Sequence, residues 1–545
     1  MSAIALSEAA RTQVLLGCEA VALGAAHSGI SSAYGYPGTP STEILETLIR
    51  ISSLEGRPRA KWCVNEKAAY ETALGVSMAG RRVLVAMKHV GLNVAADPFI
   101  NSAIVAPLGG LVLAVADDPG MHSSQNEQDS RFYAEFAGVP CFEPATPQEA
   151  YEMTREAFEI SEGLQVPVMV RLVTRLAHQR SAVETGDPAP ENRLTISRDR
   201  RHWVLLPAFS RENWRELLDQ QENHQEWSND SPFSPLEINH FFRELGVITT
   251  GIARTYYREV VDEIGTEPSH LHIGTYPIPI EKIRELASHV DSILLLEDGY
   301  PFVERQLRGL LGSPVSIMGR MSGELPRDGE LSQDTVRRAL GLQPKPTLES
   351  RISIPGRPPR LCDGCPHADV YKALAGALRD HDDSVVMSDI GCYTLGTLPP
   401  FGIGDSCVCM GASVGMAKGA ADAGAEPVVA VIGDSTFLHS GLVSLIDAIV
   451  DDSNMTLVIL DNEVVAMTGA QPTMLPSRRL VDAVLGLGAD PNHVHTAESH
   501  PRKIGELEDA LRSAIAYRGL SVVITHRECI EGARKRKADE RRKGV

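Results

Sequence analysis

At 545 residues the chain exceeds what one hydrophobic core organises, so two to four domains are expected. Its 71 acidic against 52 basic residues, a formal net charge of −19, exclude a general nucleic-acid binder, which needs a basic face to displace phosphate counterions. An apolar fraction of 43% and a charged fraction of 23% are ordinary for globular proteins, no run of eighteen apolar residues predicts a membrane span, and the start, with Glu8 and no basic stretch, does not read as an export signal. The expectation is a cytoplasmic protein without nucleic-acid or membrane partners.

From Leu6 to about Val183, helix-like stretches alternate with short apolar runs at Val83–Met87, Leu111–Val115 and Val168–Val170, as strands buried on both faces of a parallel sheet do. Residues 184–233 turn polar, with prolines and three tryptophans (Trp203, Trp214, Trp227), and read as a connecting excursion. A smaller α/β block over 234–345 has strand candidates at Val247–Thr249 and Ile293–Leu296 and a helical pattern over Ile280–His289. Five prolines between Pro344 and Pro359 predict an extended linker, placed at 346–360. Residues 361–530 repeat the alternation, with strands expected at Val385–Met387, Val428–Ile432, Leu457–Leu460 and Val522–Ile524. The fold class is therefore α/β, several doubly wound parallel-sheet domains. The tail, 531–545, is basic and reads as a solvated terminus or a docking segment.

The chemistry concentrates in the third block. Gly433-Asp434-Ser435 ends one apolar run and Leu460-Asp461-Asn462-Glu463-Val464 ends the next, which sets Asp434 and Asn462 side by side at the carboxyl edge of a sheet, where open α/β folds bind ligands. Oxygen ligands there suit magnesium, and Asp434, Asn462 and the Val464 carbonyl could complete a magnesium-diphosphate site. A helix expected to start near Ser440-Gly441 would add free N–H groups.

At these residues the chain resembles the thiamine-diphosphate enzymes, whose Gly-Asp-Gly signature precedes an Asn by some 25 to 30 residues; here Ser435 stands in place of the second Gly. With Gly35-Tyr36-Pro37-Gly38-Thr39-Pro40-Ser41-Thr42, Val64-Asn65-Glu66-Lys67, Met87-Lys88-His89-Val90-Gly91-Leu92-Asn93-Val94, His122-Ser123-Ser124-Gln125-Asn126-Glu127-Gln128-Asp129, Leu361-Cys362-Asp363-Gly364-Cys365-Pro366-His367 and Met467-Thr468-Gly469, it is similar to the large subunits of the indolepyruvate branch of 2-oxoacid:ferredoxin oxidoreductases. The likeness covers 10–180 and 355–530 and only loosely the middle block.

The resemblance implies a thiamine-diphosphate-binding fold with an aminopyrimidine domain (1–183), a domain like the transketolase C-terminal one (234–345) and a diphosphate domain (361–530). It makes Glu66 the carboxyl that contacts the pyrimidine ring, sharing a proton with it from an apolar setting. It places Thr39 near the substrate carbonyl, offers His89, His122 and Arg131 as further pocket residues, and adds Gly391, Cys392, Gly433, Ser435, Met467 and Thr468 to the cofactor contacts.

Nine cysteines argue against a disulfide scaffold. Cys362, Cys365, Cys392 and Cys529 resemble the four ligands of the proximal [4Fe-4S] cluster in such oxidoreductases. A zinc site from Cys362, Cys365, Cys407 and Cys409, or inert buried thiols, remain open. The chain ends at Val545 without the Cys-x-x-Cys-x-x-Cys-x-x-x-Cys-Pro run of the family's large subunits, so the distal relay is expected to be missing here, which leaves direct transfer from the proximal cluster to external ferredoxin, a partner that supplies the relay, or loss of oxidative chemistry. The implied activity is oxidative decarboxylation of an aryl 2-oxoacid to the acyl-coenzyme A, with electrons leaving through the cluster to ferredoxin. The alternatives are non-oxidative decarboxylation or carboligation, and a cofactor-binding scaffold without turnover. A separate small (beta) subunit and a dimer of heterodimers are implied partners.

Overall fold

A computed structural model describes residues 12–310, 315–346 and 359–543. The chain divides into two compact units, Met1–Glu349 and Ser350–Val545. Most of the expected linker, 346–360, lies outside the described residues.

The first unit holds a seven-stranded sheet, a five-stranded sheet and the antiparallel pair Thr12–Leu16 with Arg180–Glu184. Its seven-stranded sheet runs Thr275–Tyr276, Cys141–Phe142, Val168–Val173, Leu111–Asp117, Val83–Lys88, Ser32–Gly35, Arg59–Trp62, parallel except at Thr275–Tyr276. The three central strands are wholly buried, which is why they read as unbroken apolar runs rather than as alternations. The five-stranded sheet runs Ser316–Met318, Ser292–Leu296, Gly246–Thr250, Ser269–Ile273, Leu236–Glu237, with only the last pair antiparallel. Because Thr275–Tyr276 extends the other sheet, the segment after residue 234 contributes to both. The helix Ile280–His289 forms over its predicted residues.

The polar excursion differs from expectation: it contains the 24-residue helix Pro207–Asp230. The buried face of that helix is Asn213, Leu217, His224 and Ser228, three of them polar, so no apolar stripe marks it in the sequence. Its polar groups are matched by bonds instead: Gln221 donates to the Gly138 carbonyl at 3.0 Å and Gln225 to the Ile278 carbonyl at 2.8 Å.

The second unit is built on a parallel sheet, Val385–Ser388, Val428–Gly433, Met455–Asp461, Leu520–His526, Val494–Glu498, with helices on both faces, and adds the antiparallel pair Val464–Val465 with Gln471–Pro472. All four strands expected from the sequence are present. Gly433 is in register with Leu460, and Asp461 with His526, so three loops leave the sheet side by side at its carboxyl edge. Among the described residues, no helix is long and apolar enough to cross a membrane.

Candidate functional site

In the first unit, the loops after Ser32–Gly35 and Val83–Lys88 emerge as neighbours from paired strands. Thr39 sits half-buried in the first loop, where its carbonyl accepts a hydrogen bond from the Ser123 hydroxyl at 3.1 Å. Ser123 is held by Asp118, and Lys88 donates to the Ser123 carbonyl at 2.8 Å and to its hydroxyl at 3.3 Å. Burial pushes the Lys88 ammonium down to about 8, against the pull of Asp118.

Glu66 opens the helix Glu66–Met78, whose N-cap Asn65 accepts from the Ala68 N–H at 2.8 Å. Its side chain is buried against Gly91, where an added Cβ would stand 2.7 Å from Glu66 Cγ and 2.8 Å from Cδ. Only glycine leaves room for the carboxyl here. His89, at the head of the helix His89–Ser102, is buried at 1% exposure; neither ring nitrogen makes a well-formed hydrogen bond, and only the Asn126 backbone acts on the ring as a polar contact. Burial holds this imidazole below its ordinary basicity. The charges of Asp117, Lys88 and Asp118 also act on this ring, which stands two positions before Gly91 on the same helix.

Two further expected pocket residues are held by partners within this unit. His122 is half-exposed and paired with Glu330 at 3.4 Å. Arg131 is fully buried: its guanidinium is bound to Asp129 at 2.5 Å, to the Tyr276 hydroxyl at 3.2 Å and to the Tyr300 carbonyl at 3.1 Å, with Glu143 and Glu297 within 3.5 Å. Arg171, bound to Asp117 at 2.6 Å and to Glu143 at 2.5 Å, completes this network, and Tyr276 donates to Glu143. The network links the seven-stranded sheet, through Asp117, Arg171 and Tyr276, to Glu297, the residue that follows the strand Ser292–Leu296 of the five-stranded sheet. With so many partners the Arg131 charge is satisfied inside the unit.

In the second unit, Asp434 is buried, and accepts from the Ser435 N–H at 2.7 Å and from the Glu463 N–H at 3.1 Å. Burial, and next the neighbouring Asp461, push its carboxyl up to about 8. Two buried carboxyls side by side form a donor set that a divalent cation would relieve. Asn462 Oδ1 accepts from the Val464 N–H and its amide contacts His367 Nε2, both at 3.1 Å. Gly433 lies against the Tyr393 ring, where a Cβ would come within 2.7 Å of Cε1. Ser435 binds the Thr473 hydroxyl at 3.1 Å, and the Gly391 N–H donates to Thr394 at 3.1 Å. Thr468 bonds Gln471 at 2.5 Å, while Met467 is exposed.

The helix expected to begin at Ser440-Gly441 begins at Asp434, directly after the strand. It passes through a π-turn at Phe437–Gly441 and continues as Leu442–Val450. Gly441 marks a close approach to the sheet, its absent Cβ lying 2.6 Å from Ile432 Cδ1, and does not mark a helix start. The first-turn N–H groups therefore lie beside the Asp434 carboxyl itself.

The cysteines sort into two sets. Cys392 is pushed up to about 12 by burial and then by the proximity of Cys365, Cys529 and Cys362; Cys365 is raised by burial and then by Cys362 and Cys529. Cys407 and Cys409 instead neighbour Asp389 and each other, with Cys407 Sγ directed at the Asp389 carbonyl at 3.7 Å. The zinc alternative is thus not assembled, and among the described residues no three or more His, Cys, Asp or Glu side chains are grouped to hold a single metal ion. The set of four is stitched to the Asp434 edge: the Cys529 N–H donates to the Asn462 carbonyl and the Arg527 N–H to the Asp461 carbonyl, each at 3.1 Å, and Thr436 donates to the Ile390 carbonyl at 2.9 Å, two residues before Cys392.

Lys88, Asp118, Ser123 and Gly91 join the candidate residues of the first unit, and Asp461 and His367 those of the second, although the sequence did not single them out. Each except Asp118 lay inside a recognised motif, and what revealed them is burial and contact.

Residues 24–203 match the family model described as pyruvate flavodoxin/ferredoxin oxidoreductase, thiamine diphosphate-binding, and residues 389–525 match thiamine pyrophosphate enzyme, C-terminal TPP binding domain. Fold and site together define a thiamine-diphosphate-dependent 2-oxoacid oxidoreductase. The indolepyruvate oxidoreductase subunit IorA of Archaeoglobus fulgidus is 36% identical over 94% of this chain and 86% of its own length, and that of Pyrococcus abyssi is 36% identical over 95% and 85%. A ketoisovalerate oxidoreductase subunit VorB of Methanothermobacter thermautotrophicus is 25% identical over 58% of this chain and 94% of its own. The chain belongs to the IorA family of indolepyruvate oxidoreductase subunits. It is one subunit of an oxidoreductase complex that binds thiamine diphosphate and decarboxylates a 2-oxoacid oxidatively; the non-oxidative alternative is not favoured.

Proposed function

We propose that the chain converts an aryl 2-oxoacid of the indolepyruvate type to its acyl-coenzyme A, passing electrons through a [4Fe-4S] cluster to ferredoxin, in a dimer of heterodimers with a small subunit. The observation that carries the electron path is the bond from the Cys529 N–H to the Asn462 carbonyl, which ties the four-cysteine set to the diphosphate edge.

In this reading residues 1–183 bind the aminopyrimidine and residues 361–530 the diphosphate. Asp434, Asn462 and the Val464 carbonyl would hold magnesium, whose charge the Asp434–Asp461 pair lacks. Thiamine diphosphate supplies the carbon nucleophile for decarboxylation. Glu66, fixed by Gly91, holds and returns the proton on the pyrimidine side. Thr39 offers a hydroxyl to the substrate 2-oxo group, and Lys88 an ammonium to its carboxylate, a charge-assisted contact that burial strengthens. His89, kept neutral by burial, donates or accepts without competing for that charge. Cys362, Cys365, Cys392 and Cys529 would hold the cluster, which supplies one-electron acceptance.

The test is turnover by the complex co-purified anaerobically with its partner subunit. With indolepyruvate, coenzyme A and oxidised ferredoxin, mass spectrometry is expected to find indoleacetyl-coenzyme A, and pyruvate to react at least about 10-fold more slowly. Aldehyde without reduced ferredoxin would refute the oxidative route.

A further inference from the structure

We infer that the basic helix Ile530–Lys543 is the docking surface for an acidic one-electron carrier protein that collects electrons beside Cys529. The inference rests on the cluster reading above and adds where its electrons leave.

The helix carries seven basic and three acidic residues, in a chain whose formal net charge is −19. Residues 534–541 are all exposed. Such a helix has no apolar face to seat it, so its anchorage must come from its ends. That anchorage is its first turn. The Ala533 N–H donates to the Cys529 carbonyl at 2.9 Å, Gly532 lies against Val464 so closely that a Cβ would be 3.2 Å from Cγ1, and Lys535 donates to the Gly469 carbonyl at 2.5 Å. The turn therefore rests on the Asn462–Gly469 loop, the same loop that accepts the Cys529 N–H. Arg534 is paired with Glu531 and Arg536 with Glu528, both through contacts under 3 Å. Lys537 and Arg541 are left pointing their charge outward, the nearer about 12 Å along the axis from Cys529 at 1.5 Å per residue.

A positive surface growing out of a cluster ligand fits a compact polyanion that must come close to that ligand. Complementary charge raises such encounter rates by roughly 10- to 1,000-fold and fades as salt rises. An extended nucleic acid would run past the helix onto the rest of an acidic chain, which a compact carrier need not touch, and an anionic membrane would need an apolar face that the helix lacks. The electron balance requires repeated docking. One 2-oxoacid and one coenzyme A thiol give acyl-coenzyme A, carbon dioxide, one proton and two electrons, so two oxidised carriers each leave reduced by one.

The test is the double variant Lys537→Glu with Arg541→Glu in the complete complex, assayed with an acidic ferredoxin and, in parallel, with methyl viologen. The KM for ferredoxin is expected to rise about 10-fold and its salt dependence to flatten, with methyl viologen turnover unchanged, while Lys537→Arg with Arg541→Lys behaves as the unaltered enzyme. A ferredoxin KM within about twofold of the unaltered value overturns the proposal. So does loss of binding to duplex DNA or phosphatidylglycerol vesicles without a change in ferredoxin kinetics. If the unaltered complex does not reduce methyl viologen with 2-oxoacid, the cluster reading has failed and the docking surface falls with it.

Discussion

Gly91 offers a substitution whose effects on stability and on activity should part company. In Gly91→Ala the new Cβ would lie 2.7 Å from Glu66 Cγ, whereas carbon atoms rest at about 3.5 Å, so the side chain must retreat by about 0.8 Å. The nearest atoms belong to a side chain that can turn, so the backbone need not move. Alanine in the helix His89–Ser102 also gains about 0.8 kcal/mol of helix propensity, which offsets the crowding and should leave the melting temperature nearly unchanged. A displacement approaching 1 Å at a proton-handling carboxyl costs roughly 100-fold in turnover. The assay is 2-oxoacid-dependent methyl viologen reduction by the co-purified complex, with a thermal melt of the same preparation. Turnover falling about 100-fold at constant melting temperature is the expected pair of results. Activity within about threefold of the unaltered enzyme would show that the Glu66 seat does not matter to the reaction.

Other consequences follow from the same geometry. Cys392→Ser should lower iron and sulfide content and remove the broad visible absorption while thiamine diphosphate is still bound; full iron content would remove Cys392 from the ligand set. Chelation with EDTA should release thiamine diphosphate, seen as loss of cofactor on gel filtration, and added magnesium should restore it. Lys88→Met should raise the KM for 2-oxoacid about 10-fold or more while thiamine diphosphate binds as before, since one charge-assisted bond to a carboxylate is worth about 1.5–3 kcal/mol. Glu297 is buried and its carboxyl is raised to about 7, first by burial, with Arg131 pulling the other way. A raised acid leaves the folded state holding a proton that the unfolded state releases, so stability is lost as pH climbs from about 4.5 to 7. Relative to Glu297→Gln, the unaltered chain should lose up to about 3 kcal/mol across that window, measured by urea unfolding at each pH; an unchanged difference would contradict it.

The parallel sheets were legible because strands covered on both faces must be apolar throughout, as at Val83–Lys88 and Val428–Gly433. The Asp434–Asn462 edge was legible because a side chain just past a strand end has its position set by the sheet. What stayed hidden depends on partners. The helix Pro207–Asp230 buries mostly polar residues and so carries no periodic apolar signal. Arg131 stands in a site-like stretch but is held by acids from distant elements, Glu143 and Glu297, which no local pattern reports. Spacing likewise could not choose between Cys407 and Cys392 as companions of Cys362 and Cys365, because both follow the same strand region. Ser440-Gly441 suggests a helix start in the sequence, whereas Gly441 serves close packing on Ile432, a role glycine fills equally well.

The central claim, that thiamine chemistry in this chain is wired to an iron-sulfur cluster, is tested most directly by anaerobic purification with iron, sulfide and thiamine diphosphate quantified, and the visible spectrum recorded before and after indolepyruvate. About four irons and one thiamine diphosphate per chain, with the visible band bleached by the 2-oxoacid, is the predicted result. Bound thiamine diphosphate without iron, and no bleaching, would contradict it.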